Sequence, residues 1–216
     1  RAMLSYPLVR NRNLTALGAG YFANDSIADG VIEEVNPVGD RVWAWRVDDH
    51  FGYSEVTFPQ RFAQYPTEPN GGEVDVWHVN SLDRVDDGSG DYVFSARHLD
   101  AVVRVDRVTA EVDWILGSLP VGTPNEDGAT RLQIIGDPRG GPRRPHDARL
   151  RGDVLTLFDN RTATGQPARA VAYRIDDDAE TATMLWQVES PTGASSAGLG
   201  SVQVLDDGSV LVNWGA

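Results

Sequence analysis

Apolar and polar residues alternate along most of this chain, in short runs that end at Gly, Asp, Asn or Pro. Successive side chains of a strand point to opposite faces, so this pattern predicts short β-strands joined by turns. The clearest predicted strands are Val31–Val35, Asp91–Ala96, Val102–Val105 and Val154–Phe158. Asp-Asp-Gly sequences at 86–88 and 206–208 predict hairpin turns. The chain is therefore predicted to be all-β.

The predicted strands recur with a period of about 70 residues. Val31–Trp45, Ala101–Trp114 and Val171–Trp186 align as strand, Asp- or Asn-centred turn, strand and tryptophan. The halves that precede them, His78–Arg97 and His146–Asn160, also align, and Gly200–Trp214 opens a further copy. One copy holds about four short strands, which is typical of a β-propeller blade. We predict that residues 1–216 form a single, incomplete propeller domain of about three to four blades, with a β-sandwich as the alternative.

Two long irregular stretches, Asp48–Glu73 and Ser118–Pro145, separate the copies. Loops of this length in a compact fold are more often functional than idle, so both are expected to contribute to function. We also expect the chain to be a piece of a longer protein.

Composition excludes several functions. A net charge of −13 over 216 residues argues against a nucleic-acid surface, which needs a basic stripe. The absence of cysteine excludes disulfides, thiolate zinc sites and thiol nucleophiles. No apolar run approaches the ~20 residues of a membrane-spanning helix, so no membrane span is predicted.

Two of the four histidines, His78 and His146, fall at equivalent positions of two copies, at the start of the first predicted strand. First strands of propeller blades line a central channel, so both histidines are predicted to face one shared site. The alternative is that histidine merely suits a channel-lining position. Asn80 shares a strand face with His78 by alternation.

Arg97 and Asn160 follow the second predicted strands of their copies at matching positions. Both are expected to flank the shared site, although Asn160 suits a hairpin cap equally well. His98 points the other way by alternation and is assigned to the surface or to a contact between blades.

Arg139–Arg151 holds five arginines in thirteen residues, around His146. A local positive island suits an anionic substrate, because fixed cations attract anions and stabilise developing negative charge. The alternative is a solvated loop with scattered arginines. The two histidines, His78 and His146, could in principle hold a metal with Asp147, but the sequence shows no third strong ligand beside the histidines. Neither a metal nor another cofactor is therefore predicted.

Several of these stretches resemble the bacterial arylsulfotransferase family, and in particular its arylsulfotransferase-like branch of actinobacteria and fungi. They are Trp77–Asp83, Tyr92–Asp106, Val112–Gly117, Pro145–Ala148, Leu155–Asn160 and Gly200–Gly215. The resemblance covers nearly the whole chain in the same order. It implies a six-bladed β-propeller that is exported to the periplasm, the cell envelope or the medium.

The resemblance also implies a reaction. The family transfers a sulfuryl group from a phenolic sulfate ester to a phenol, without a nucleotide sulfate donor, through a sulfohistidine. By this resemblance His146 matches the sulfated residue, His78 and Asn80 match the family's His-x-Asn, and Arg97 matches its arginine after the next strand. Chemically, His78, Asn80 and Arg97 would supply hydrogen bonds to the transferring oxygens. His78 would also move the phenol's proton. Three further residues are assigned to substrate binding: Arg144, Asn160 and His50, the last because it matches a family Asp-His loop.

Two other functions stay open. One is a non-catalytic propeller that binds a ligand or a protein at its channel mouth. The other is a sulfatase-like or phosphoryl-transferring hydrolase with the same histidine nucleophile. An aryl sulfate and a phenol are the predicted small-molecule partners, and the sequence does not define an oligomeric state.

Overall fold

The computed structural model of the chain describes residues 1–62, 68–117 and 128–215. These residues form two compact units, the first over Arg1–Val79 and the second from Asn80 onward. Strands dominate both units, and the helical segments are short 3-10 turns. The all-β prediction is confirmed, whereas the single-domain organisation of residues 1–216 stays a prediction. In the part of the chain that the structure describes, no helix has the length and apolar character needed to span a membrane.

The first unit contains two sheets. Its strands are β1 (Ala2–Ser5), β2 (Leu8–Arg12), β3 (Asp25–Ala28), β4 (Val31–Val35), β5 (Arg41–Arg46), β6 (Gln60–Arg61) and β7 (Val74–Asp75). The sheet orders are β1-β4-β5 and β2-β3-β7-β6. The stretch Asp48–Glu73, predicted to be irregular, contains β6 and the 3-10 turns Tyr53–Glu55 and Pro69–Gly71. The 3-10 turn Val47–Asp49 overlaps its start, β7 follows it directly, and its residues 63–67 lie outside the described residues.

The second unit contains two five-stranded sheets and a hairpin. Its strands are β8 (Val79–Arg84), β9 (Tyr92–Ala96), β10 (Ala101–Val105), β11 (Val112–Gly117), β12 (Thr130–Arg131), β13 (Gln133–Ile135), β14 (Pro145–Arg151), β15 (Val154–Asp159), β16 (Arg169–Asp176), β17 (Thr181–Glu189), β18 (Ser201–Val204) and β19 (Val210–Asn213). The sheet orders are β12-β11-β10-β9-β8 and β13-β17-β16-β15-β14, and β18 pairs with β19. Each large sheet therefore has four consecutive strands and one short added strand.

The predicted repeat is visible in the strand pairing. The antiparallel hairpins β4-β5, β10-β11 and β16-β17 correspond to the three aligned segments, and each carries its tryptophan in the second strand. The predicted turns also form, with Gly88 and Gly208 at φ of 90° and 83°, where a side chain would be strained. Local alternation and turn residues were sufficient to predict these hairpins.

The second predicted irregular stretch contributes two short edge strands. β12 pairs in parallel with β11, and β13 pairs in parallel with β17, so the segment extends the outer edges of both large sheets. Residues 118–127 of that stretch lie outside the described residues.

The main core of the second unit lies between the two large sheets. Apolar side chains from one face of each sheet pack together, among them Val102, Leu116, Leu155, Leu157 and Tyr173. Burial of such side chains contributes about 1.5–3 kcal/mol each and fixes which face of every strand turns inward. The ends of these strands, where the polar side chains collect, are thereby held in place.

Candidate functional site

His146 lies in β14 and is 7 % exposed. Its Nδ1 is 2.7 Å from Oδ1 of Asn160, the first residue after β15. The amide nitrogen of Asn160 donates to Oγ of Ser196 at 3.0 Å and to the Leu199 carbonyl at 2.9 Å, which turns Oδ1 towards the imidazole. His146 therefore donates its Nδ1 proton to Asn160, so in the neutral form of the ring the lone pair lies on Nε2.

A bulge follows His146 in the β14–β15 ladder. His146 pairs with Phe158, and regular pairing resumes only at Arg149. Within the bulge Asp147 adopts a left-handed conformation, with φ of 51°, and its Oδ2 accepts the backbone N–H of Val202 at 2.8 Å. Bulges of this kind re-aim a side chain at a strand end, here that of His146.

Arg97 and His98 form the start of a 3-10 turn that follows β9. Nη1 of Arg97 donates to Nε2 of His98 at 2.9 Å, and Nη2 donates to the Ala197 carbonyl at 3.0 Å. His98 is fully buried, so of its two predicted assignments the surface is wrong, and a contact between blades stays a prediction. Strand alternation stops at Ala96, and the tighter turn brings the two neighbouring side chains together.

One short segment, Ser196–Leu199, contacts the surroundings of both proposed catalytic groups. We call it the 196–199 loop. It accepts hydrogen bonds from Arg97 and from the Asn160 amide, and the Ser196 backbone N–H donates to the Asn160 carbonyl at 2.9 Å. This loop was not predicted from the sequence, where its signal is a run of small residues from 193 to 198.

Asn80 connects β8 to the backbone next to His146. Its amide nitrogen donates to the Pro145 carbonyl at 3.0 Å, and its Oδ1 accepts from Oγ of Ser95. The Ala148 backbone N–H donates to Oγ of Ser81 at 3.0 Å. Asn80 and Ser81 thus hold β14 on both sides of His146.

The arginine-rich stretch around His146 is electrically compensated. Each of its five guanidinium groups forms an ion pair: Arg139 with Glu189, Arg143 and Arg144 with Asp100, Arg149 with Asp147, and Arg151 with Asp83. Three of the four carboxylates, those of Glu189, Asp100 and Asp83, come from outside the stretch, and Asp100 is shared by Arg143 and Arg144. Attraction of an anionic substrate by these arginines stays a prediction. Direct binding of substrate by Arg144 and Asn160 stays a prediction.

Buried carboxylates hold the backbone that leads to His146. Asp100 accepts the N–H of Arg144 at 2.8 Å, Asp159 accepts that of Arg143 at 2.8 Å, and Asp137 accepts that of Gly141 at 2.9 Å. The side chains of all three aspartates are fully buried. The approach to His146 is thus fixed by charge-assisted hydrogen bonds, which are the stronger kind.

Asp137 belongs to a buried cluster with Arg169 and Tyr173. Its carboxylate receives hydrogen bonds from Arg169 at 2.8 and 2.9 Å and from the Tyr173 hydroxyl at 2.6 Å. Burial opposes ionisation of Asp137, but these donors outweigh it and hold its pKa well below the ordinary value. Asp159 joins the same cluster through Arg161 and Arg169.

The first unit contains the other two predicted histidines. His78 has φ of 46° directly before β8, its Nδ1 pairs with Oδ2 of Asp75, and its backbone N–H donates to Oδ1 of Asp75 at 3.0 Å. In the aligned copy the left-handed residue is Asp147 rather than His146, so the two histidines differ in backbone conformation.

His50 stacks on Trp45, with ring centroids 4.4 Å apart. A catalytic role for His78, a shared site with His146 and substrate binding by His50 all stay predictions.

Comparison with protein families gives one result that bears on function. The sequence profile of the family described as Arylsulfotransferase (ASST) matches residues 8–216, a range that includes every residue proposed for the site. Comparison with curated proteins gives no match. The chain therefore belongs to the arylsulfotransferase family, as the sequence resemblance indicated.

Proposed function

We propose that this protein moves a sulfuryl group from an aryl sulfate ester to a phenol, through a sulfohistidine on His146 and without a nucleotide sulfate donor. Family membership supports the class of reaction. The observation that carries the assignment of His146 is the hydrogen bond from its Nδ1 to Asn160, because it puts the nucleophilic lone pair on Nε2.

In the first step Nε2 of His146 attacks the sulfur as the bond from sulfur to the aryl oxygen breaks. The donor's phenolate leaves and is protonated by solvent, while the ring keeps its Nδ1 proton on the Asn160 oxygen. Sulfuryl transfer resembles phosphoryl transfer, which has a loose transition state, so positioning and electrostatics supply most of the catalysis. Asn160 suits this step because a neutral acceptor leaves the imidazole uncharged and nucleophilic.

In the second step the acceptor's phenolic oxygen attacks the sulfur and the N–S bond breaks. The acceptor's proton leaves to a base, for which His78 is the candidate because an imidazole can accept a proton near neutral pH. The sulfated ring keeps its positive charge, since Asn160 cannot take the Nδ1 proton, and a charged ring is the better leaving group. Arg97 would stabilise the sulfuryl oxygens, and its guanidinium has five N–H donors for this purpose and for its contacts to His98 and Ala197.

We infer further that the fold is a β-propeller and that the enzyme is exported. Two sheets of four consecutive strands plus an added edge strand support blades, and so does the strand repeat of about 70 residues. Hydrogen bonds between β8 and β14 join the first strands of the two sheets, as expected for neighbouring blades. Export follows from the family resemblance alone.

The proposal is tested by incubating the protein with 4-nitrophenyl sulfate, with and without phenol. Intact mass should show an adduct of one SO3 group that is lost in His146→Ala, and phenol should accelerate release of 4-nitrophenol. Asn160→Ala should slow adduct formation by about 10²-fold or more, because the imidazole loses its fixed tautomer. Asn213→Ala, an exposed position of β19, is the matched control and should react like the parent protein.

Two outcomes would contradict the proposal. No adduct and no nitrophenol release with several aryl sulfates would favour a ligand-binding propeller. Turnover that water supports and phenol does not accelerate would favour a hydrolase.

A further inference from the structure

His98 is a polar side chain in an unusual setting. It is completely buried, it follows Arg97 directly, and its ring contacts the Arg97 guanidinium. Burying an imidazole has a cost in free energy unless the ring forms hydrogen bonds, so its contacts are expected to be specific.

The contact to Arg97 defines the chemical state of His98. A guanidinium is always protonated and can only donate hydrogen bonds. Nε2 of His98 is therefore the acceptor in the 2.9 Å contact, and the neutral ring carries its proton on Nδ1.

His98 and the 196–199 loop together fix the plane of the Arg97 guanidinium. Nη1 is held by His98, and Nη2 is held by the Ala197 carbonyl of that loop. The same loop accepts the Asn160 amide, whose oxygen binds His146. With both Nη groups hydrogen-bonded, the guanidinium has little freedom to rotate. Its position relative to the Asn160–His146 pair therefore depends on the hydrogen bond to His98 and on the hydrogen bond to Ala197.

We propose that His98 is a positioning residue that aims Arg97 at the sulfuryl group. The inference rests on the proposed function of Arg97 in sulfuryl transfer. His98 acts as a neutral hydrogen-bond acceptor, and it does not touch the reacting atoms itself. The class of ligand concerned is the sulfuryl group of an aryl sulfate, because a fixed, planar guanidinium matches its equatorial oxygens.

Two variants separate a positioning role from mere packing. In His98→Gln the side-chain Oε1 lies about where Nε2 lay, and it can accept from Arg97. His98→Leu has a similar shape without an acceptor. We expect kcat for sulfuryl transfer to fall about 10-fold to 10²-fold in His98→Leu and to recover to within about 3-fold of the parent in His98→Gln, since a small misplacement of a catalytic group costs this much.

The second readout is NMR of the guanidinium nitrogens of Arg97, assigned with Arg97→Lys. Slow rotation of the Nη groups is expected in the parent protein and in His98→Gln, and faster rotation in His98→Leu. This measurement needs no turnover. If the parent protein transfers no sulfuryl group, the proposed function fails while the spectra still test the hydrogen bond from Arg97 to His98.

Three results would overturn the inference. His98→Leu transfers at the parental rate, or both variants are equally impaired, or the Arg97 resonances are the same in parent and His98→Leu. Should His98→Leu not fold, the ring-nitrogen shifts of His98 in the parent protein decide, since a proton on Nε2 is incompatible with acceptance from Arg97.

Discussion

Two arginines of the second unit, Arg169 and Arg104, are both surrounded by carboxylates, yet their surroundings differ in charge balance. Arg169 is fully buried and pairs with Asp137 and Asp159, while Arg161 supplies a second cation to Asp159. Arg104 is 13 % exposed on its side chain and meets four carboxylates, those of Asp87, Asp91, Asp113 and Asp177.

The difference appears in the ionisation of the acids. We call the group of Asp137, Asp159, Arg161 and Arg169 the balanced cluster, and the group of Arg104 with its four carboxylates the unbalanced cluster. In the balanced cluster the hydrogen-bond donors around Asp137 hold its pKa well below the ordinary value in spite of burial. In the unbalanced cluster burial raises the pKa of Asp113 to about 6, and the neighbouring Asp91, Asp106 and Asp177 add to the rise that Arg104 opposes. Asp159 in the balanced cluster differs from Asp137: burial raises its pKa although Arg161 and Arg169 both oppose the rise. Whether a buried acid stabilises the fold therefore depends on the balance between its burial and its hydrogen-bond donors and counter-charges.

The balanced cluster is also the one that supports the candidate site. Asp159 precedes Asn160, and Asp137 and Asp159 hold the backbone of Gly141 and Arg143 on the way to His146. The unbalanced cluster makes no such contact with that segment among the described residues.

The largest expected effect comes from removal of the central cation of the balanced cluster. Arg169→Met leaves Asp137 and Asp159 buried with fewer partners and should lower the free energy of unfolding by about 3–5 kcal/mol in urea denaturation. Arg174→Met, which breaks the exposed pair with Asp153, is the control and should cost under about 1 kcal/mol. Equal losses in both variants would erase the contrast between buried and exposed pairs.

Asp137→Asn should have the next largest effect and should lower the free energy of unfolding by about 2 kcal/mol at pH 7. Because the folded pKa of Asp137 is lowered, its contribution to stability is present above the pKa of an unfolded aspartate and is lost as the pH falls below it. The difference in unfolding free energy between parent and variant should therefore narrow below about pH 4. A difference that does not depend on pH would mean that the charge of Asp137 contributes nothing.

Asp113→Asn should raise the free energy of unfolding rather than lower it, and its effect should be the smallest of the three. The folded pKa of Asp113 is raised to about 6, so its ionisation costs stability above that pH, and the cost disappears as the pH falls below the unfolded pKa. The side chain is 34 % exposed, so the solvent-screened gain at pH 8 should be about 1 kcal/mol. Thermal or urea unfolding at pH 8 and pH 4 checks this; destabilisation at pH 8 would show that Arg104 needs all four carboxylates.

Sequence patterning predicted the hairpins well because strand alternation and turn residues are local properties. Val31–Val35 was predicted with the bounds of β4, and alignment of the copies placed Asn160 where the structure has it, directly after β15. The burial of His98 and its contact with Arg97 were missed because alternation was extended past Ala96 into a 3-10 turn. The ion pairs of the arginine-rich stretch were not predicted because their main acids are remote in sequence: Asp100 lies 44 residues from Arg144, and Glu189 lies 50 residues from Arg139.

The sequence by itself determined the all-β class, the strand repeat, the family and the candidate nucleophile His146, because each depends on residue order within short segments. Only the tertiary structure decided which nitrogen of His146 carries the proton and what holds Arg97. It also decided which arginines are neutralised. These properties depend on pairs such as Asn160 with Ser196 that strand packing brings together from distant positions, and no local pattern records such pairs.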